Sequence, residues 1–139
     1  MAKHVETFEH TADIGLVAWG DTLAELYAAL GEGLADLVVP RSQVGAGYSH
    51  TLTVRSDDEQ TMAVDFLGRL LSFMQTDRFC VHEVSVIVAS PTHLEAVIRG
   101  EPFDPLRHEP GLEVKAVTYH MLDVSRHEGR WQGRVLLDL

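Results

Sequence analysis

The strongest constraint on the fold of this chain is the change of apolar periodicity along it. Residues 23–37 and 63–74 carry apolar side chains three and four positions apart, which predicts two amphipathic helices. Elsewhere apolar and polar residues alternate in short runs between turn residues, which predicts about seven or eight strands. Because short turns join most of these strands, we expect an α+β fold with a largely antiparallel, sandwich-like sheet and both helices packed on one face.

Capping residues mark the ends of both predicted helices. Thr22 and Glu25 have the spacing of a capping box, in which a hydroxyl and a carboxylate each accept an otherwise unpaired backbone N–H. The run Ser-Asp-Asp-Glu at residues 56–59 places a cap and negative charge where the second helix begins, which is favourable at the positive end of a helix dipole. Pro40 limits the first helix at its C-terminal end.

The size and composition of the chain limit the structural class to which it can belong. Its 139 residues suit one core, so residues 1–139 are expected to form a single domain. A hydrophobic fraction of 45% with 23% charged residues is typical of a folded globular protein. No apolar run is long enough to cross a membrane, so no membrane role is expected. The N-terminal residues lack an apolar leader and Cys80 is the only cysteine, which predicts a cytoplasmic location.

The charge of the chain argues against nucleic acid as a tight, direct partner. Twenty-one acidic residues against 11 basic ones give a formal charge of −10, and such a surface repels a phosphate backbone. Arg126, Arg130 and Arg134 are the nearest approach to a basic cluster. An acidic protein is better suited to a metal ion or to a basic protein surface.

The standard catalytic signatures are absent from the sequence. It has no phosphate-binding loop, no GxGxxG, no HExxH and no GxSxG motif, and the single Cys80 excludes a multi-thiolate zinc site. Eight histidines remain, and most histidines in such a domain are surface or structural residues. Only His10 and His120 stand in unusual surroundings.

Polar, titratable residues interrupt two segments whose pattern indicates strand. The first is His-Thr-Ala-Asp-Ile-Gly at residues 10–15, where Asp13 stands at the edge of a strand. The ordinary explanation is a turn-forming aspartate that bonds its own backbone. The alternative is that Asp13 offers oxygen ligands to Ca²⁺ or Mg²⁺, and Gly15 would permit a close approach there.

The second segment is Glu-Val-Lys-Ala-Val-Thr-Tyr-His, predicted as a strand over residues 113–120. Alternation places Glu113 and Lys115 on one face, which a solvated sheet surface explains. Thr118 and His120 fall on the otherwise apolar face and are harder to explain in that way.

The C-terminal residues concentrate negative charge. If the last strand is held in a sheet, Asp138 and the terminal carboxylate of Leu139 lie within a few ångströms of each other, and together they favour a cation. A frayed and solvated terminus is the alternative.

Taken together, the motifs at residues 10–15 and 113–120 and the terminal Leu-Leu-Asp-Leu resemble those of the archease family, over essentially the whole chain. The resemblance implies a small, acidic, non-enzymatic cofactor of an RtcB-type tRNA-splicing RNA ligase. Such a protein assists the step in which GTP and a divalent metal, manganese in that family, yield a histidine-bound guanylate. An Ile end is frequent in the family where this chain ends in Leu139, and this exchange keeps the carboxylate.

The resemblance also implies a site. Asp13, Asp138 and the carboxylate of Leu139 match the metal-binding positions of the family. Calcium is the first expectation for the metal, with manganese, magnesium or zinc as alternatives. The other motif residues are expected to form the surface for the ligase partner: His10, Lys115, Thr118 and His120.

Two other classes of function stay open. One is a small metal-dependent hydrolase that uses His10 or His120 as general base near the same carboxylates. The other is a general protein chaperone without metal, which requires an exposed apolar surface for its clients.

Overall fold

The computed structural model of the protein describes residues 3–10 and 12–139, the side chains of residues 9 and 10 excepted. Seven strands and two α-helices are present in this part of the chain. In chain order they are β1 (Lys3–His10), β2 (Asp13–Gly20), α1 (Leu23–Val38), β3 (Tyr48–Arg55), α2 (Glu59–Thr76), β4 (Phe79–Ala89), β5 (His93–Pro102), β6 (Ala116–His127) and β7 (Arg130–Asp138).

The strands form two antiparallel sheets, which confirms the predicted α+β class. The first sheet has the order β1-β2-β7-β6 and the second has the order β3-β5-β4. Helix α1 contacts β1, β2 and β7 of the first sheet and β4 of the second, while α2 contacts β6 and all three strands of the second sheet. Each sheet therefore has the helices on one of its faces.

Helix α1 lies at the centre of the core. Its residues from Leu26 to Ala35 are all buried, Gly31 and Gly33 among them. A Cβ on Gly33 would lie 2.7 Å from a methyl carbon of Val5 on β1, so the missing side chain lets the first sheet approach the helix closely. Within residues 3–10 and 12–139 no helix has the length and apolar character needed to cross a membrane.

Both predicted helix caps are present. The Thr22 hydroxyl accepts the N–H of Glu25 at 3.1 Å, and the Glu25 carboxylate accepts the N–H of Thr22 at 3.0 Å, which completes the capping box. Asp58 caps α2 by accepting the N–H of Thr61 at 2.8 Å. Local sequence was enough to place these two helix starts, because both caps use residues three apart.

The predicted strand over residues 113–120 is wrong at its start, since β6 begins at Ala116. The N–H groups of Gly111 and Leu112 donate to the last carbonyls of α1, each at 2.8 Å. The carbonyl of Val114 accepts a hydrogen bond from Gln75 of α2 at 2.9 Å. Polar groups of the two helices thus hold this segment, and its alternating pattern reflects burial of Val114 and not membership of a sheet.

Strand β6 is also interrupted after Thr118. Thr118 pairs with Leu136 and Asp123 pairs with Arg134, so residues 119–122 face the single Val135 of β7. Met121 lies in this segment with a φ of 58°, and its carbonyl accepts a hydrogen bond from the Arg134 side chain at 2.8 Å. We call residues 119–122 the β6 bulge.

A buried carboxylate holds the loop that precedes this region. Glu101 accepts hydrogen bonds from the N–H of Gly45 at 3.0 Å, from Arg107 at 2.8 Å and from His108 at 2.7 Å. His108 is buried, and its Nδ1 accepts the N–H of Asp104 at 2.8 Å, so Nε2 carries the proton that it shares with Glu101. These bonds, that of Gly45 foremost, lower the pKa of Glu101 to about 2.

Candidate functional site

The candidate site lies at one end of the first sheet, and the alternation of side chains decides which residues point away from the core. Leu16 and Ala18 of β2, with Val135 and Leu137 of β7, are buried in the core shared with α1. Their neighbours in the sequence therefore point the other way. We call this side the outer face; it carries Asp13, Gly15, Val17 and Trp19 of β2 and Gln132, Arg134, Leu136 and Asp138 of β7.

Asp13 and Asp138 are directly opposite each other in the register of β2 and β7. Side chains in such a cross-strand pair have Cβ atoms about 4.5–5.5 Å apart, so the two carboxylates share one end of the outer face. His10 of β1 is the cross-strand partner of Asp13 on the other side. The structure therefore brings three of the predicted site residues to one row, although Asp13 and Asp138 are far apart in the sequence.

Leu139 and Lys115 lie beside this row. Leu139 follows Asp138 directly, and its side chain packs against the core. The N–H of Lys115 donates to the carbonyl of Asp138 at 2.8 Å, while the Lys115 side chain is exposed. The main chain of Lys115 is thus held beside that of Asp138.

The predicted partner residues Thr118 and His120 have different surroundings. Thr118 is half-buried and its hydroxyl donates to the carbonyl of Leu136 at 3.2 Å, so it serves at least to fix β6 on β7. His120 is exposed on the β6 bulge. Beside it are two apolar side chains that the sequence pattern did not single out, Tyr119 at 60% exposure and Met121 at 37%.

Gly15 of the first motif has a packing role. A Cβ at this position would overlap the ring of Phe8, its cross-strand partner on β1. The aromatic ring therefore occupies the space that a side chain at residue 15 would need. This explains the glycine two residues after Asp13: it lets Phe8 cover the sheet next to the acidic pair.

Carboxylate oxygens are the ligands that hard divalent cations prefer. Among the side chains that the structure describes, those of residues 3–8 and 12–139, no three of His, Cys, Asp or Glu come together as a possible metal cluster. The donors that this end of the sheet offers are the carboxylates of Asp13 and Asp138 and a main-chain oxygen of Leu139. Two like charges directly opposite each other are unfavourable in a sheet, and a cation between them would remove that cost.

Comparison with known proteins gives consistent results over the full length. A family model described as the Archease protein family (MTH1598/TM1083) matches residues 5–139. The protein archease of Pyrococcus abyssi is 32% identical over 141 residues, which cover 99% of this chain and 99% of the relative. The protein archease of Pyrococcus furiosus is 33% identical over 138 residues, which cover 96% and 97%.

Solved structures agree with the fold. The solution structure of Methanobacterium thermoautotrophicum protein 1598 has a TM-score of 0.83 and 29% identity over 97% of this chain and 98% of that chain. The crystal structure of an archease from Thermotoga maritima, described as a possible chaperone, has a TM-score of 0.68 and 18% identity over 96% of each chain.

Proposed function

The chain belongs to the archease family, and from this premise we propose that it is a non-catalytic activator of an RtcB-type RNA ligase in tRNA splicing or RNA repair. In this role it promotes guanylylation of the ligase and so allows repeated turnover. The working part of the molecule is the end of the outer face that carries Asp13 and Asp138. The RNA-joining chemistry belongs to the ligase.

The observation that carries the proposal is the register that sets Asp13 opposite Asp138. These two carboxylates and a main-chain oxygen of Leu139, which is a carboxylate where the chain ends, make a set of hard oxygen donors. Such a set fits calcium first, and manganese, magnesium or zinc as alternatives. The bound cation would supply positive charge at a phosphate-bearing active site, and the remaining ligands would come from water or from the ligase.

The residues around the acidic pair form the proposed partner surface. His10 is the cross-strand partner of Asp13, Lys115 is anchored to Asp138, and Thr118 and His120 follow on β6. The exposed Lys115 side chain adds a positive charge at this end of the sheet, which suits a substrate that carries phosphate groups together with a metal. The net charge of −10 favours association with a basic surface on the ligase.

The metal part of the proposal is tested by calorimetric titration of purified protein with CaCl₂, MnCl₂, MgCl₂ and ZnCl₂. We expect binding by the wild type and a loss of at least about tenfold in affinity for Asp13→Asn and for Asp138→Asn. Asp57→Asn is the matched control, because Asp57 is an exposed aspartate outside the sheets. Equal affinity in all four proteins, or no binding at all, would contradict the metal site.

The ligase part is tested with a purified RtcB-type ligase, radiolabelled GTP and Mn²⁺. We expect the wild-type protein to raise both the guanylylated fraction and the number of ligation turnovers. Asp13→Asn, Asp138→Asn and Lys115→Ala should lose this effect while Asp57→Asn keeps it. A protein that binds metal but leaves guanylylation unchanged would refute the ligase role and keep the metal site.

A general chaperone without metal is the alternative that the description of the Thermotoga maritima protein as a possible chaperone brings in. It predicts that the chain suppresses aggregation of unrelated unfolded proteins, and that Asp138→Asn does so as well as the wild type. A ligase activator predicts no such protection.

A further inference from the structure

A small cavity lies at the other end of the outer face. It has a volume of about 210 Å³ and is lined by Trp19, His127, Glu128, Arg130 and Gln132. Trp19 of β2 is the cross-strand partner of Gln132 of β7, and His127 of β6 is that of Arg130. Six residues of extended strand separate Trp19 from Asp13, which is about 20 Å, so the cavity is distinct from the acidic pair.

Trp19 is held in place on the sheet. Its ring centroid lies 5.1 Å from that of His4, the cross-strand partner on β1, with the ring planes inclined by 33°. His4 is in turn bonded to Glu6 at 2.7 Å. A half-buried indole that is braced on one side and lines a cavity on another is a preformed surface for stacking a flat, unsaturated ring.

Arg130 lines the same cavity, and its side chain forms no hydrogen bond or ion pair with any residue that the structure describes. Its Nε is buried without an acceptor. Arg134 of the same strand, by contrast, donates to the carbonyl of Met121. A guanidinium with unused donors next to an indole can bind a phosphate oxygen or the acceptor edge of a base. The Gln132 amide adds one donor group and one acceptor to the lining.

From these contacts we propose that the cavity binds one nucleotide, with its base stacked on Trp19 and its acceptor groups bonded to Arg130 and Gln132. The volume suits a single base and is smaller than a typical site for a larger ligand. Glu128 in the lining repels a phosphate, so the base enters the cavity and the phosphate stays outside it. The nucleotide is either free or one residue of a single-stranded RNA.

A site for a single nucleotide is expected to bind weakly. Such binding is consistent with the expectation that the acidic chain does not bind nucleic acid tightly. It uses none of the residues of the proposed metal site. Its test needs neither metal nor ligase, so the two proposals fail independently.

The experiment measures the fluorescence anisotropy of a labelled single-stranded oligoadenylate of about eight nucleotides at low salt with EDTA present. Unlabelled AMP, ribose 5-phosphate and double-stranded RNA serve as competitors. We expect saturable binding that AMP or an unlabelled single strand displaces and that ribose 5-phosphate does not. If AMP displaces the probe at the same nucleotide concentration as the unlabelled strand, a free nucleotide is sufficient for binding. If only the unlabelled single strand displaces it, the ligand of the cavity is single-stranded RNA.

The decisive comparison is between Arg130→Gln and Arg126→Gln. Both variants remove one positive charge from the same β6–β7 hairpin, but Arg126 lies over the ring of Trp131 at 5.9 Å and does not line the cavity. We expect Arg130→Gln and Trp19→Leu to weaken binding by about fivefold or more, and Arg126→Gln by less than about twofold. Equal losses at Arg126 and Arg130, absence of saturable binding, or equal competition by ribose 5-phosphate and AMP would overturn the proposal.

Discussion

Asp13 of β2 lies directly opposite Asp138 of β7, so two carboxylates share one cross-strand position at the end of the first sheet. Natural sheets avoid like charges in this relation because they repel each other at short distance. The pair is therefore expected to lower the stability of the metal-free protein and to raise its affinity for cations.

The pair can be tested by thermal unfolding in EDTA and in excess CaCl₂. In EDTA, Asp138→Asn should be as stable as the wild type or more stable, by up to about 1 kcal/mol, because the repulsion is removed. In CaCl₂ the wild type should gain stability through binding and Asp138→Asn should gain much less. A calcium-dependent gain of equal size in both proteins would contradict a site at this position.

The contact between Phe8 and Gly15 predicts opposite effects for two glycine substitutions. Gly15→Ala places a methyl group against the Phe8 ring and should destabilise the fold by about 1–3 kcal/mol. Gly68 lies in α2, and a Cβ there would meet nothing within 4 Å beyond the adjacent turns of its own helix, so Gly68→Ala should stabilise the fold by about 0.5–1 kcal/mol. Urea unfolding of both variants measures the change in the free energy of unfolding. An unchanged free energy for Gly15→Ala would show that the Phe8 ring can move aside without cost.

The Glu101 cluster predicts a loss of stability in acid. The ordinary pKa of this carboxyl, 4.5, falls to about 2 in the folded protein. The stabilisation from its ionised form is therefore complete above about pH 4.5 and is lost as the pH falls towards 2. Urea midpoints at pH 7 and at pH 3 should differ less for Glu101→Gln than for the wild type. An unchanged difference would mean that other carboxyls cause the acid sensitivity.

Cys80 should react slowly with thiol reagents. It is buried, and burial raises the pKa of its thiol to about 11, with the negative charge of Glu101 as a second cause. Because the thiolate is the reactive form, a disulfide reagent at pH 8 should label the native protein far more slowly than the same protein in urea. Equal rates would show that the N-terminal end of β4, where Cys80 lies, opens readily in the native protein.

The hydrogen bond from Arg134 to the carbonyl of Met121 predicts a local effect on the β6 bulge. Arg134→Met keeps most of the aliphatic chain and removes the donor, so hydrogen exchange of the amides in residues 119–122 should become faster. Arg126→Met is the matched control, because that side chain contacts Trp131 and not the bulge. Unchanged exchange in Arg134→Met would show that sheet pairing alone holds the bulge.

Sequence and structure agree best where the signals are local. The capping box of Thr22 and Glu25 follows from their spacing, and the run at residues 56–59, which contains the cap Asp58, predicts the second helix start from its residue types. Pairing of Asp13 with Asp138 joins the two ends of the chain, and no local pattern fixes which strands are neighbours or in what register. The sequence could mark each residue as unusual, and the resemblance to a family could group them, but only the sheet shows why they meet.

The sequence pattern does not predict the start of β6 or the hydrogen-bond partners of Glu101. The strand predicted to begin at residue 113 begins at Ala116, because hydrogen bonds between the helices and residues 111, 112 and 114 replace sheet pairing. The partners of Glu101 come from Gly45 and from a loop with prolines, and such a cluster leaves no periodic trace.

The β6 bulge has a consequence for how the length of the chain can vary. Three more residues stand on β6 than on β7 between the pairs Thr118 with Leu136 and Asp123 with Arg134. Since three is odd, the bulge reverses which alternate residues of β6 point inward, and this keeps Val124 buried. Removal of three residues from 119–122 would leave both halves of the strand correctly oriented, whereas removal of one from a regular part of β6 would turn Val124 towards solvent. Changes of length in the family are therefore expected within residues 119–122, where the pairs on either side can keep their register, and not in the regular parts of β6.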